Sequence, residues 1–146
     1  GIDLVKWQIR VAAGLTLPFA QKDIVLRGHA IQCRINAEDP MRDFAPAGGK
    51  VDILHIPGGP WVRFDTALYQ GYTLPVHYDS LIAKLIVHAP TREEAIRKMQ
   101  AALCETVIEG IDHTALFQAD LLAETAFVDG SYTTDYLSRR KAQDAG

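Results

Sequence analysis

The chain has 146 residues, room for one domain whose folding buries about two-thirds of the unfolded surface. Its 48% hydrophobic and 23% charged content excludes a disordered chain, and no apolar run approaches the roughly 20 residues of a membrane-spanning helix. Fifteen Lys and Arg against 18 Asp and Glu leave a net charge of −3, the wrong sign for a general nucleic-acid or anionic-membrane binder. Cys33 and Cys104 lie in periodic apolar segments and are expected to be buried free thiols, in keeping with a reducing cytoplasm. The chain opens on Gly1-Ile2-Asp3, without an initiator Met and directly ahead of a helical pattern. It is therefore read as a piece of a longer polypeptide, in which a functional site is divided.

Asp3 is an N-cap, Ile2, Val5, Ile9 and Ala12 recur at helical spacing, and Gly14 supplies a C-terminal stop, so a short amphipathic helix is expected. Its Trp7 is expected to pack against the parent protein. From His29 the pattern alternates: His29, Ile31, Cys33, Ile35 and Ala37 face one way, and Ala30, Gln32, Arg34, Asn36 and Glu38 the other. This predicts a half-buried strand whose outer face carries an amide, a guanidinium, an amide and a carboxylate at about 7 Å intervals. A loop at Phe44 to Gly49 is followed by alternation from Lys50 to Ile56, with Val51, Ile53 and His55 sharing a face. Pro57-Gly58-Gly59-Pro60 breaks that run, and Trp61 to Asp65 reads as a further strand, so a hairpin or meander is predicted. Leu81 to Val87 is expected to be a central strand. Thr91-Arg92-Glu93-Glu94 is a capping box opening a helix to about Glu109, with Gly110 as its stop. A second helix spans Leu116 to Ala123 behind Thr114, and Tyr136 to about Lys141 forms a last turn or two. Residues 1–141 are read as the domain and 142–146 as a fraying tail. A helix, four or five strands and then helices describe an α+β fold, an antiparallel sheet with helices packed on one side.

No complete catalytic constellation is present. Gly48-Gly49 and Gly58-Gly59 are too short to cradle a polyphosphate and sit at turns. The five histidines have no metal-ligand spacing, and His29 and His55 fall on apolar strand faces as core residues. No metal site is expected. Neither cysteine has a histidine at nucleophile spacing, and Ser80 lacks the G-x-S-x-G elbow motif. Arg34 remains. An arginine stays protonated and cannot act as a base, but its planar donors stabilise developing negative charge. Spacing alone also permits a surface ion pair with Glu38, and both readings stay open.

The segment Arg27-Gly28-His29-Ala30-Ile31-Gln32-Cys33-Arg34-Ile35-Asn36-Ala37-Glu38-Asp39-Pro40 resembles the R-G-H-A-x-[EQ]-C-R-I-N-A-E-D-P stretch of biotin carboxylases, the ATP-grasp component of biotin-dependent carboxylases. Gly1 to Val5, Pro57-Gly58-Gly59, Gly71 to Pro75, Tyr78 to Leu85 and Glu109-Gly110-Ile111 are similar to further stretches of that family, in the same order. The resemblance implies a C-terminal domain, with the glycine-rich loop, phosphate-binding lysines and Mg²⁺ carboxylates upstream of Gly1. It implies that ATP activates bicarbonate as carboxyphosphate and that the carboxyl group passes to N1′ of biotin, with this domain inactive by itself.

Arg34 matches the family arginine that hydrogen-bonds the biotin ureido oxygen. Gln32 and Asn36 flank it, placed to orient it, and Asp79 is placed to pair with the guanidinium. Arg63 matches a dimer-interface arginine, although Pro60 stands where an aromatic residue is common, with Trp61 next. Thr134 matches an apolar nucleotide contact and departs from the usual aliphatic type. The implied partners are a biotin carboxyl carrier protein, carboxyltransferase subunits and a second copy of the parent. The implied setting is cytoplasmic acetyl-CoA carboxylase in fatty acid synthesis. Propionyl-, methylcrotonyl- or pyruvate carboxylase parents share this domain, and a non-catalytic dimerisation or assembly module is the remaining alternative.

Overall fold

The computed structural model describes residues 1–144. Helix α1 (Leu4–Ala12) starts where Asp3 accepts a hydrogen bond from the Lys6 N–H at 2.9 Å, and ends ahead of Gly14 at φ +86°. A 3₁₀ turn at Gln21–Asp23 leads to β1 (His29–Asn36). There follow β2 (Glu38–Asp39), a 3₁₀ turn at Pro40–Arg42, β3 (Ala45–Pro46), β4 (Gly49–Lys50), β5 (Ile53–His55), β6 (Val62–Thr66), β7 (Thr73–Leu74) and β8 (Leu81–Ala89). Then come α2 (Arg92–Glu105), β9 (Val107–Glu109), α3 (Ala115–Ala123), α4 (Thr125–Asp129) and α5 (Tyr136–Asp144).

The principal sheet is antiparallel, in the order β1-β8-β6, with the apolar run of β8 at its centre as its composition predicts. One face carries Cys33, Ile35, Leu85, Val87 and Phe64, and these pack with Met99, Ala102 and Leu103 of α2. Ile35, Leu85, Met99 and Leu103 have no exposed side-chain surface worth counting, so each contributes about 1.5–3 kcal/mol of hydrophobic stabilisation relative to exposure. The molecule is thus α+β, with helices on one side of an antiparallel sheet. Gly28 admits the chain to β1 at φ +69°, where an added Cβ would lie 2.5 Å from the Ala89 carbonyl oxygen.

Several expectations need correction. The segments flanking Pro57 to Pro60 do not pair as a hairpin: β6 joins β8, and β5 pairs with β9. The prolines supply no ladder N–H, so the turn separates the two strands instead of joining them. The alternation from Lys50 breaks at Asp52, between two short ladders. Val51 and Leu54 therefore turn inward, while Ile53 and His55 are exposed. The helix expected to reach Glu109 stops at Glu105: the Thr106 hydroxyl donates to the Ala102 carbonyl at 2.8 Å, and Val107 and Ile108 enter a strand. Gly110 ends that strand at φ +97°, where a Cβ would meet the Lys50 carbonyl oxygen at 2.0 Å. Cys104 is exposed, because Ala95, Ile96, Met99, Ala102 and Leu103 take the buried stripe of α2; Cys33 is buried as expected, and both thiols are free.

At the C-terminus α5 continues to Asp144, into the stretch read as a tail, and Ala145 and Gly146 lie outside the described residues. At the other end, α1 buries no residue. Leu4 is 73% and Ile9 67% exposed, and Trp7 packs edge-on against Phe19 with the Arg10 guanidinium over its ring. Helix α1 and residues 17–27 line an open apolar trough of about 1070 Å³.

Candidate active-site face

The second face of the β1-β8-β6 sheet carries the polar residues. In register, Arg34 stands opposite Lys84, and Lys84 opposite Asp65; one pair further along, Gln32, Ile86 and Arg63 are aligned. Cross-strand partners share a face, so Arg34 and Lys84 are lateral neighbours. Like charges placed directly opposite are destabilising, and neither cation has an ion-pair partner among the described residues. Arg63 and Asp65 neutralise each other through bonds of 2.8 and 2.9 Å. Asp65 is held below the usual carboxylate range, chiefly by the Arg63 hydrogen bond, with smaller help from the charges of Arg63 and Lys84. A chain of net charge −3 therefore concentrates three cations against one carboxylate on these paired strands, a local field that attracts an anion.

The ion pair of Arg34 with Glu38 is not formed. Glu38 Oε1 instead accepts from the Ser80 hydroxyl and from Asn36 Nδ2, the latter at 3.2 Å. The strand register shifts between Ile35 and Asn36, with Leu81 rather than Ile82 opposite Asn36. The extra residue lies on β8, where Ile82 has no partner on β1 and is buried in the core together with Ala83. Asn36 Oδ1 is buried without a partner. Asp79 Oδ1 accepts from the Leu81 N–H at 2.7 Å at the start of β8; the structure gives it that role, and no ion pair to Arg34 is present among the described residues. Gln32 is exposed one alternation before Arg34.

Arg63 lies on the edge strand β6, near an exposed Trp61 held at φ +63°, whose ring lies 5.6 Å from that of His88. Thr134 is exposed on the turn ahead of α5. The structure thus brings Arg34, Gln32 and Arg63 onto one sheet face, gathers Asn36 with Glu38 and Ser80 at its end, and leaves Thr134 on a separate loop. His29 is half-buried, with Nε2 3.2 Å from an Arg92 guanidinium nitrogen. Burial pushes the Cys33 thiol up to about 12, so it is an inert core group. Among the described residues no three His, Cys, Asp or Glu side chains cluster to hold a metal.

Two features escape a reading of the sequence. Lys84 is the single charge inside the apolar run from Leu81 to Val87, a signal that a lone lysine in a central strand can give. Gln118 donates to the Arg34 main-chain carbonyl at 2.6 Å, and no side-chain pattern encodes a bond to the main chain.

An α+β domain whose sheet presents an unpaired arginine in this setting has close relatives. A family model described as the biotin carboxylase C-terminal domain matches residues 32–139. The biotin carboxylase of Haemophilus influenzae is 52% identical over 140 residues, covering 96% of this chain and 31% of that protein. Among solved structures, the biotin carboxylase domain dimer of Hydrogenobacter thermophilus 2-oxoglutarate carboxylase, in complex with MgADP, ADP and bicarbonate, superposes with a TM-score of 0.88 at 44% identity. That match covers 96% of this chain and 31% of the other. The biotin carboxylase component of a pyruvate carboxylase superposes with a TM-score of 0.87 at 42% identity, covering 97% of this chain and 31% of the other. The chain belongs to the biotin carboxylase C-terminal domain family, and it spans about a third of the length of the curated relatives it matches.

Proposed function

We propose that this chain serves as the C-terminal domain of a biotin carboxylase that uses ATP and bicarbonate to carboxylate N1′ of biotin, and that Arg34 stabilises the charge developed by the acceptor. The observation that carries this reading is the Arg34 guanidinium, exposed on the sheet face beside Lys84 with no carboxylate partner among the described residues. When N1′ gives up its proton, negative charge moves onto the ureido oxygen. A fixed guanidinium donates to that oxygen and remains protonated throughout, so it stabilises the charged state without exchanging a proton. Lys84 adds positive potential beside it. Asn36 and Asp79 fix the same end of the β1–β8 pair, just beyond Arg34: the first bonds Glu38 at the end of β1, and the second bonds Leu81, opposite Asn36, at the start of β8.

ATP, Mg²⁺ and most bicarbonate contacts belong, in this reading, to the two-thirds of the relatives that this chain does not span, and the domain alone is inactive. In this reading Thr134 meets nucleotide within that complete chain. The apolar trough at α1 is the surface against which the same portion packs. The parent is a cytoplasmic dimer that serves a biotin carboxyl carrier protein and carboxyltransferase subunits, with acetyl-CoA carboxylase and fatty acid synthesis as its setting. The dimer in the 2-oxoglutarate carboxylase structure and the open edge of β6 beside Arg63 support the dimeric part. A strictly monomeric complete enzyme at micromolar concentration, by light scattering, would remove it. The likeness to the biotin carboxylase component of a pyruvate carboxylase favours a second reading, with the same half-reaction in a pyruvate carboxylase parent.

The test is bicarbonate-dependent ATP hydrolysis by the complete enzyme, with and without free biotin, for wild type and Arg34→Gln. Loss of a preorganised donor to an oxyanion costs about 10²–10³ in rate. Biotin-stimulated turnover is expected to fall on that scale while the slow hydrolysis that needs no biotin persists. Unaltered biotin stimulation would leave the domain as an assembly module.

A further inference from the structure

β1 is an edge strand: β8 covers one side, and among the described residues no strand covers the other. In an antiparallel strand successive residues direct their main-chain N–H and C=O to alternate sides. Ala37 donates to the Ser80 carbonyl at 2.7 Å, whereas both main-chain groups of Asn36 are bonded to Thr114, so Asn36 and the residues two and four before it face the open edge. An uncovered edge leaves these groups to water. The start of α3 covers this edge at the segment that bears Arg34.

Two residues make four bonds there. Gln118 Nε2 donates to the Arg34 carbonyl at 2.6 Å and to Thr114 Oγ1 at 3.0 Å. Thr114 Oγ1 accepts from the Asn36 N–H at 3.0 Å, and the Thr114 N–H donates to the Asn36 carbonyl at 3.0 Å. Thr114 and Gln118 sit one helical turn apart, so the helix start continues the ladder over Arg34 and Asn36 as a further strand would. Helix α3 is itself anchored: Ala115 and Leu122 are in the core, and His113 bridges the Ile108 carbonyl at 3.1 Å and the Ala115 N–H at 3.3 Å.

We infer that Gln118 and Thr114 are positioning residues for Arg34, fixing its main chain from the side that the sheet leaves open. The inference rests on the proposed role of Arg34 at biotin. Strand β8 holds β1 from one side, and the register irregularity at Asn36 loosens that hold just beyond Arg34. The clamp from α3 restores the constraint where the sheet weakens. A guanidinium on a long side chain reaches a developing charge productively only if its own Cα is fixed to a fraction of an ångström. Gln118 uses both amide hydrogens in this task, one on Arg34 and one on the threonine that holds Asn36.

The test uses the complete enzyme and measures biotin-dependent turnover, KM for ATP and thermal stability. The variants are Arg34→Gln, Gln118→Leu, Gln118→Lys and the double variant Arg34→Gln/Gln118→Leu. Gln118→Leu keeps the bulk and removes the donor; biotin-dependent kcat is expected to fall about 5–20-fold with KM for ATP held, because misplacement of a reacting group costs up to about 10². Gln118→Lys keeps an N–H donor and is expected to restore most of that loss. The double variant is expected to be no slower than Arg34→Gln. Should Gln118→Leu fold poorly, Thr114→Ser against Thr114→Val gives the same contrast, with the hydroxyl retained or lost. Wild-type turnover in Gln118→Leu beside a slow Arg34→Gln would overturn the inference and leave the role of Arg34 intact. Additive losses in the double variant, or a parallel loss of ATP affinity, would make the contact merely structural and overturn it as well. Wild-type turnover in Arg34→Gln would overturn both readings.

Discussion

The two ends of the chain bury their apolar residues very differently. In the sheet and α2, Ile35, Leu85, Met99 and Leu103 are fully enclosed by partners from three elements. In residues 1–28, Leu4, Val5, Ile9, Val25 and Leu26 are mostly exposed, and α1 buries nothing. Both segments have the apolar spacing of amphipathic elements, so the pattern alone does not tell them apart. The difference lies in what packs against them. The sheet finds its cover within the chain, while α1 leaves its apolar residues exposed. The same division runs through the chemistry: Arg34 is built and held here, whereas the groups that would activate bicarbonate are not recognisable in this sequence.

Core substitution gives the largest contrast. Leu85→Ala is expected to cost about 2–5 kcal/mol by denaturant unfolding, and Leu4→Ala less than about 0.5 kcal/mol. Equal costs would show that α1 packs in solution and would erase the contrast. Thr91→Ala comes next: its hydroxyl accepts from the Glu94 N–H at 3.2 Å at the start of α2, and its loss is expected to cost about 1 kcal/mol. Asp3→Ala removes the equivalent bond from α1, and its effect is expected to show in helix content and not in the unfolding midpoint.

The smallest effect is in pH. Burial holds the His113 pKa below its ordinary 6.5, although the Ile108 carbonyl and Asp112 oppose the shift. The unfolded chain then takes up the proton first. The stabilisation is complete above pH 6.5 and is lost as pH falls from there toward the lower folded value. His113→Gln is expected to flatten the stability profile in that window, by unfolding measured at successive pH values. An unaltered slope would assign the acid sensitivity elsewhere.

The legible parts of the fold were those in which one residue pattern meets one continuous partner. The alternation of His29 to Ala37 marks β1, since a long antiparallel neighbour runs its whole length. The run Leu81 to Val87 marks a central strand because it is flanked on both sides. Lys50 to Ile56 misleads because its residues serve two short ladders with distant partners, Thr73–Leu74 and Val107–Glu109. The helix boundary at Glu105 was hidden because helical spacing continues past it, while strand pairing with β5 decides the state of Val107 and Ile108. At the site, the polar face of β1 was legible and singled out Arg34. The clamp by Gln118 was not, because a side chain bonded to a carbonyl leaves no mark on the residue it holds. Lys84 becomes meaningful only in register, beside Arg34.

The central claim is that Arg34 acts on biotin as a charge-stabilising donor. Its most direct measurement is the initial rate of carboxybiotin formation from labelled bicarbonate by the complete enzyme, at saturating ATP, for wild type and Arg34→Gln. The account predicts a fall of about 10²–10³ with KM for ATP retained. Carboxybiotin formed at the wild-type rate by Arg34→Gln would contradict it.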